Sequence, residues 1–478
     1  MLSAELLVEY LPHEIAQRRE EGHDVSAFER RWAALGLPAI EPHRPIPEAS
    51  RAAVERAAPD LEALYRDLDR LEGQRPAQAG PPEPSALDEI RARRPDGPRR
   101  LALTLSEAEL RDRILGAWLG RAAGCLLGKP VEGWSRDAIR AALQYVGAYP
   151  LADYIPYPFP RGVDPQAADA PVEVKRLAQR PRRWFRGEFD RMVRDDDMDY
   201  PLLALHVLED YGPDFTTADV GRAWQSKLPY LLVYTAERAA YRNLVNGLRP
   251  PATATYRNPY REWIGAQIRA DLWGWACPGA PERAAELAHR DAALSHVKNG
   301  IYGEMFFAAA MAASFAVPTV EEALRIGLTE IPAECRFAEA VRRTMEWVAE
   351  DGDFQRTTDR IHQAYGHYHR IHTINNAALV VMGLLYAERA AQRGEDPFEP
   401  AICLTVMGGW DTDCTGATAG SLVGALRGAR RLPVKWVGDF HDRLESIVIG
   451  MTDSRFTDLA DRTLAQAKRL APALARSV

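Results

Sequence analysis

Apolar residues recur along most of this chain at the three- and four-residue spacing of one helix face. Leu6, Leu7, Tyr10, Leu11 and Ile15 make one such stripe, and Leu61, Leu64, Leu68 and Leu71 make another. Gly73 follows the second stripe and suits a C-terminal stop. Ser106 and Glu109 have the spacing of a capping box, and Leu110, Ile114, Ala117 and Trp118 then line one face of a helix expected to end near Gly128. Further helices are expected over 202–211, 218–246, 281–294, 302–316, 320–327, 336–349, 374–392 and 415–427. Alternating strand patterns are scarce, so the pattern predicts an all-α fold built as a compact multi-helix bundle. No internal repeat of fixed period is visible.

Composition divides the chain. The first hundred residues hold 12 of its 34 prolines and none of its five cysteines. Residues 74–103 are rich in Pro, Gly and Arg and read as a linker. The expected organisation is an N-terminal helical extension over 1–73, that linker, and a catalytic unit over 104–478. At ~150 residues per domain, 478 residues allow about three domains, but the helical pattern after residue 104 argues for one large unit.

With 46% hydrophobic and 27% charged residues, the composition is that of a soluble globular protein. The net charge of −7 argues against a nucleic-acid partner, whose binders are usually basic. The longest apolar runs, Met305 to Val317 and Ala377 to Ala387, fall short of the ~18 residues of a membrane span. The N-terminus lacks the basic start of a secretory signal. Cys125, Cys277, Cys335, Cys403 and Cys414 form no C-x-x-C pair, so they suggest no zinc cluster and fit a reducing cytoplasm.

Two acidic clusters change the picture. Asp195, Asp196, Asp197 and Asp199 precede or open one helix, beside Arg194. Asp411 and Asp413 lie in Gly408-Gly409-Trp410-Asp411-Thr412-Asp413-Cys414-Thr415, ahead of a helix of small residues. Aspartates before a helix are common N-caps, and either cluster alone reads as well that way. Together they place four or five carboxylates at two helix mouths, with only Arg194 as an evident counter-charge. Oxygen donors of this kind suit a hard cation, Mg²⁺ or Mn²⁺, and this many suit two ions. A third segment, Gly116 to Trp134, is a glycine-rich helix followed by a loop carrying Glu132.

In this order the three segments resemble the ADP-ribosylglycohydrolase family, which includes ADP-ribosyl-acceptor hydrolases and J1 crystallins. Gly116 to Glu132 is similar to the G-x-x-x-G-x-A-x-G-x-x-x-G-x-P-x-E motif of that family. Asp195 to Asp197 stand where it carries an acidic run, and Gly408 to Thr415 where it has G-G-x-D-T-D, with Trp410 between glycine and Asp411. The resemblance spans roughly residues 108–470. It implies an all-α hydrolase with two Mg²⁺ ions in a cleft, held by Asp196, Asp197, Asp411 and Asp413. Asp195 stands in place of the family's usual Thr/Ser ligand. Cys414 takes the position of the final hydroxyl ligand, and Thr415, one residue later, is the alternative.

Glu132 matches the glutamate near the reaction centre, so Glu132 and Asp197 are the expected catalytic carboxylates. The Ser295-His296 dipeptide matches one beside the bound ribose. His296 and Asn299, with Gly408, Gly409 and Trp410, are therefore expected to contact substrate, although Asn299-Gly300 reads equally as turn chemistry. The implied substrate is an ADP-ribosylated protein or a small ADP-ribose conjugate. A nucleoside-like ribosyl substrate or a non-catalytic binding role stay open.

Other candidates rest on residue type alone. Arg or Gln in Asn258 to Asp271 suits a phosphate or purine, and Tyr260 or Trp263 a stacked base; a helix entry with surface charge is the equal alternative. His372 and Asn375-Asn376 lie just ahead of the helix leading to the third motif. Trp273, Trp275, Phe306 and Phe307 read as core, and Lys129-Pro130 as structural.

Overall fold

A computed structural model describes residues 2–72, 74, 76 and 80–470. Among these, 23 α-helices accompany a single two-stranded antiparallel sheet that pairs Leu444 with Ser454. The fold is all-α. Gly73, the expected helix stop, and residues 471–478 lie outside the described residues.

Most expected helices form within a few residues of their expected bounds. The capping box is present: Ser106 N donates to Glu109 Oε2 at 2.8 Å, and Glu109 N donates to Ser106 Oγ at 3.3 Å. The helix it starts runs Glu107–Gly128. The single helix expected over 218–246 is instead two, Thr217–Lys227 and Thr235–Val245. Pro229 lies between them, and a proline lacks the N–H that would continue the ladder. Helices Arg136–Tyr145, Phe354–Tyr365, Phe398–Met407 and Phe456–Leu470 add to those read from the pattern.

Two antiparallel helices form the spine, Glu107–Gly128 and Thr412–Arg427. Their glycines recur every four residues and so share one face of each helix. A Cβ on Gly116, Gly120 or Gly124 would lie 2.5, 2.2 or 1.9 Å from the carbonyl oxygen of Gly424, Gly420 or Gly416. Only glycine permits this backbone contact. The pairing brings the end of the first helix to the start of the second, where Thr412 Oγ1 donates to the Gly128 carbonyl at 2.8 Å. The loop bearing Glu132 and the third motif are thereby held side by side.

The N-terminal extension folds as helices Ala4–Glu20, Ser26–Ala34, Glu48–Arg56 and Ala58–Asp69. Leu7, Leu11, Leu61, Leu64 and Leu68 share a core with Ala236, Tyr260 and Trp263 of the large unit. The segment read as a linker is packed as well. It contains the helix Leu87–Arg93, whose Ile90 is buried. Its Glu83 pairs with Arg336 at 2.7 Å, and its Arg94 with Glu330 at 2.5 Å.

Candidate active site

The first acidic run caps the helix Asp196–Tyr211. Asp195 Oδ1 accepts from Asp197 N at 2.9 Å, while its Oδ2 pairs with Lys129 Nζ. Arg121, fully buried in the glycine-rich helix, reaches across this helix mouth. It donates to the Asp197 carbonyl at 2.7 Å, to Asp197 Oδ1 at 2.8 Å and to Asp271 Oδ2 at 2.7 Å. Arg194 pairs with Asp199 at 2.9 Å. The expectation that Arg194 alone offsets the acids is therefore corrected: Arg121 and Lys129 also do so. Lys129, read as structural, lines the cleft. Glycine-rich helix and first acidic run meet through these two side chains, a link across 66 to 76 residues that no local pattern displays.

The third motif is fixed from both sides. Gly133 N donates to the Trp410 carbonyl, and Trp410 N to the Trp134 carbonyl, both at 2.8 Å. Gly409 has φ +83°, and a Cβ there would lie 2.7 Å from Arg136 N. The Trp410 ring stacks on His362 at 4.0 Å between centroids. Asp411 N donates to Asn376 Oδ1 at 3.2 Å, so Asn376 positions this motif.

The result is a cleft with a cavity of about 300 Å³ lined by Lys129, Glu132, Asp195, Asp196, Asp411, Asp413 and Cys414. Glu237 joins its far wall, held by Arg269 at 2.5 Å. Ligand atoms of Glu132, Asp411 and Asp413 lie within 4.8 Å of one another, as do those of Asp197, Asp413 and Cys414, and of Cys125, Asp195 and Asp197. Burial and mutual repulsion push these acids up: Asp197 to about 8, Asp411 to about 7, and Asp196 and Asp413 well above the usual range. Burial acts on Asp195 too, but the Lys129 ammonium holds it below its ordinary value. Asp197 Oδ2 and Asp413 Oδ1 are buried with no hydrogen-bond partner. Two orphaned carboxylate oxygens among repelling acids fit a divalent cation, which would satisfy both at once.

The structure separates the remaining expected site residues from this cleft. Thr415 is fully buried and donates to the Thr412 carbonyl of its own helix, at 3.4 Å. Cys414, one residue earlier, has its sulfur among the acids. His296 is buried against Ser295 Oγ at 2.8 Å, and Asn299 donates to Glu83 and Glu262 at 2.8 and 2.7 Å. Neither lines the cavity. Gly408, Gly409 and Trp410 act through backbone and stacking to place Asp411 rather than forming its wall. The segment Asn258 to Asp271 is covered by the extension: Tyr260 donates to Glu9 at 2.8 Å, and Arg261 pairs with Glu14 at 2.9 Å and Glu21 at 3.0 Å. Arg261 and Tyr260 are thus committed to protein contacts. Trp273, Trp275, Phe306 and Phe307 are core, as expected.

Fold and site together define an all-α protein with a polycarboxylate cleft at two helix mouths. The family model for ADP-ribosylglycohydrolase matches residues 106–472, and the chain belongs to that family of glycosidic-bond hydrolases. A solved structure titled "ADP-ribosylglycohydrolase-related protein complex" is similar at 21% identity and a TM-score of 0.43, covering 76% of this chain and 99% of that one. No curated relative matches.

Proposed function

We propose that this protein is a Mg²⁺-dependent hydrolase of the N- or O-glycosidic bond to ribose in an ADP-ribosylated protein or a small ADP-ribose conjugate. The observation that carries this reading is the convergence of acids from two helix mouths on orphaned buried carboxylate oxygens. Asp196, Asp197, Asp411 and Asp413 are the residues to hold two ions. Asp195 supports them through its helix cap and Lys129. When bound, Mg²⁺ supplies Lewis-acid polarisation and offsets the negative charge.

Glu132 is exposed to the cleft, and burial of its surroundings raises its pKa above the ordinary carboxylate value. In the proposed reaction the oxygen of a water bonds to the anomeric carbon as the glycosidic bond breaks. Glu132 takes a proton from that water and hands it to the departing group, which returns Glu132 to its carboxylate form. Burial raises the Cys414 thiol well above its ordinary value, so it stays protonated and, being soft, defers to the oxygens for Mg²⁺. All five cysteines are free and buried, in keeping with a reducing cytoplasm. Among the described residues no helix is long and apolar enough to cross a membrane.

The test is release of ADP-ribose from ADP-ribosyl-arginine, ADP-ribosyl-serine and 1″-O-acetyl-ADP-ribose, with Mg²⁺ and with chelator. Turnover of at least one that stops on chelation is expected. No turnover of any with Mg²⁺ present would count against the reading.

A further inference from the structure

Beside the acidic cleft lies a second cavity of about 410 Å³ with basic walls. Glu132, Ile371 and Asp411 belong to both cavities, so the two share a border at the acids. The other walls bring together the guanidinium groups of Arg44, Arg176, Arg180 and Arg370. Arg176 lies over the Trp134 ring, 4.9 Å from its centroid. Arg180 donates to the carbonyls of Pro130 and Glu132, at 3.0 and 3.2 Å, which fixes the group without neutralising it. Arg370 pairs with exposed Glu41 at 2.8 Å, and its Nε is buried without a partner. Among the described residues Arg44, Arg176 and Arg180 form no ion pair with a carboxylate. Elsewhere in the protein, buried guanidinium groups such as those of Arg121, Arg261 and Arg269 are each matched to at least two carboxylates.

Arg44 comes from the N-terminal extension, outside the family match. Its turn is closed by Arg44 N donating to the Glu41 carbonyl at 3.1 Å. The adjacent His43 is clamped: Thr235 N donates to its Nε2 at 2.7 Å, and its Nδ1 lies 2.8 Å from Arg238. The extension is thus anchored where it presents Arg44.

We propose that Arg44, Arg176, Arg180 and Arg370 form a subsite for a phosphoryl anion, with the extension supplying one wall. The substrate class is a phosphate or diphosphate ester of a ribosyl conjugate. Guanidinium forks grip its phosphate oxygens while the sugar reaches the acids across the shared border. This deepens the hydrolase reading and rests on it for the identity of the sugar end.

The test uses the full chain without added metal and titrates inorganic pyrophosphate calorimetrically. Arg44 and Arg176 are exposed, so the double variant R44A/R176A is expected to fold, checked by an unchanged Tm. Pyrophosphate affinity should fall at least tenfold in R44A/R176A and recover in part in R44K/R176K, which keeps charge but loses the fork. ADP-ribose should lose a similar factor, and unphosphorylated ribose none. Equal pyrophosphate affinity in wild type and R44A/R176A, or no binding to wild type, would overturn the subsite. If pyrophosphate behaves as expected but no conjugate is hydrolysed with Mg²⁺, the subsite stands and the hydrolase reading falls. If both proteins hydrolyse a conjugate with the same KM, the subsite falls and the hydrolase reading stands.

Discussion

Two buried acid-rich regions lie within this one fold, and they treat their carboxylates in opposite ways. Under the N-terminal extension, Glu14 and Glu21 meet Arg261, and Glu262 meets Arg336 at 2.9 Å. Although burial opposes it, Arg336 and Lys298 hold Glu262 down to about 2. In the cleft, the acids face one another, and Asp197 and Asp411 rise to about 8 and about 7. The side-chain chemistry is the same and the burial similar. What differs is the number of cations that the chain itself provides. A region that neutralises its own acids is built to hold structure together. One that leaves acids uncompensated is built to take positive charge from solution.

Removing one charged group from each region should break the symmetry most sharply on the cleft side. Asp413→Asn is expected to lower kcat/KM for an ADP-ribose conjugate with Mg²⁺ by at least a thousandfold, roughly 4 kcal/mol. Its Tm in chelator should hold or rise, since a repelling charge is gone. A Tm that fell instead would make the cleft acids structural. Across the interface, Arg261→Ala removes the buried cation that Glu14 and Glu21 share, leaving Glu14 with Arg18 and Glu21 with Arg18 and Lys298. Leaving a buried charge without its partner costs about 3–5 kcal/mol, and with Arg18 and Lys298 still in place a loss at the lower end of that range is expected, to be read from urea unfolding. An unchanged midpoint would remove the distinction between the regions.

Acid should separate them more gently. Burial holds His13 down to about 4, His43 and His372 to about 3, and His369 to about 2. All four lie at the extension interface, facing Glu41 and Arg370, Arg238, Glu262 and Arg336. Because their folded pKa values lie below the ordinary 6.5, their contribution is complete above pH 6.5 and is lost as pH falls through those values. Glu20 acts oppositely: burial and Glu262 raise it to about 8, so its contribution grows as pH falls from 8 towards 4.5. From pH 7 to 6 the four histidines outweigh it, for a net loss of about 1–2 kcal/mol. Hydrogen exchange should then show amides of Ala4–Glu20 losing protection before those of Glu107–Gly128. Equal losses in both helices would contradict this.

The same contrast explains what was legible in the sequence. The acidic runs could be read because aspartates crowding a helix start are neighbours along the chain. The glycine spacing of the spine and the Ser106–Glu109 cap are local in the same sense. The interface could not be read, because Arg261 finds Glu14 and Glu21 across 247 and 240 residues. An arginine beside tyrosine and tryptophan looks the same whether it awaits a phosphate or already holds two glutamates. Arg121 and Lys129 were hidden likewise within a motif read for its glycines. Asn299 illustrates the converse: placed near substrate by resemblance, it is held by Glu83 of a segment read as a linker.

The smallest expected effect bears on a sulfur donor that lines the cleft. Cys414 has its sulfur within 4.8 Å of ligand atoms of Asp197 and Asp413, and its thiol is held neutral by burial and by those acids. Cys414→Ser exchanges a soft donor for a hard one at nearly constant shape. Mg²⁺ affinity should then rise a fewfold, while affinity for a soft ion such as Cd²⁺ should fall by a larger factor. Tm in chelator should stay close to wild type, because a hydroxyl is small and can donate to a neighbouring carboxylate. Calorimetric titration of each ion into both proteins reads the split. An unchanged Cd²⁺ affinity would mean that the sulfur faces no bound cation, and the cleft would then be an all-oxygen site despite Cys414. A fall for Cd²⁺ with a rise for Mg²⁺ would make Cys414 the residue that tunes which cation answers the charge the aspartates leave open.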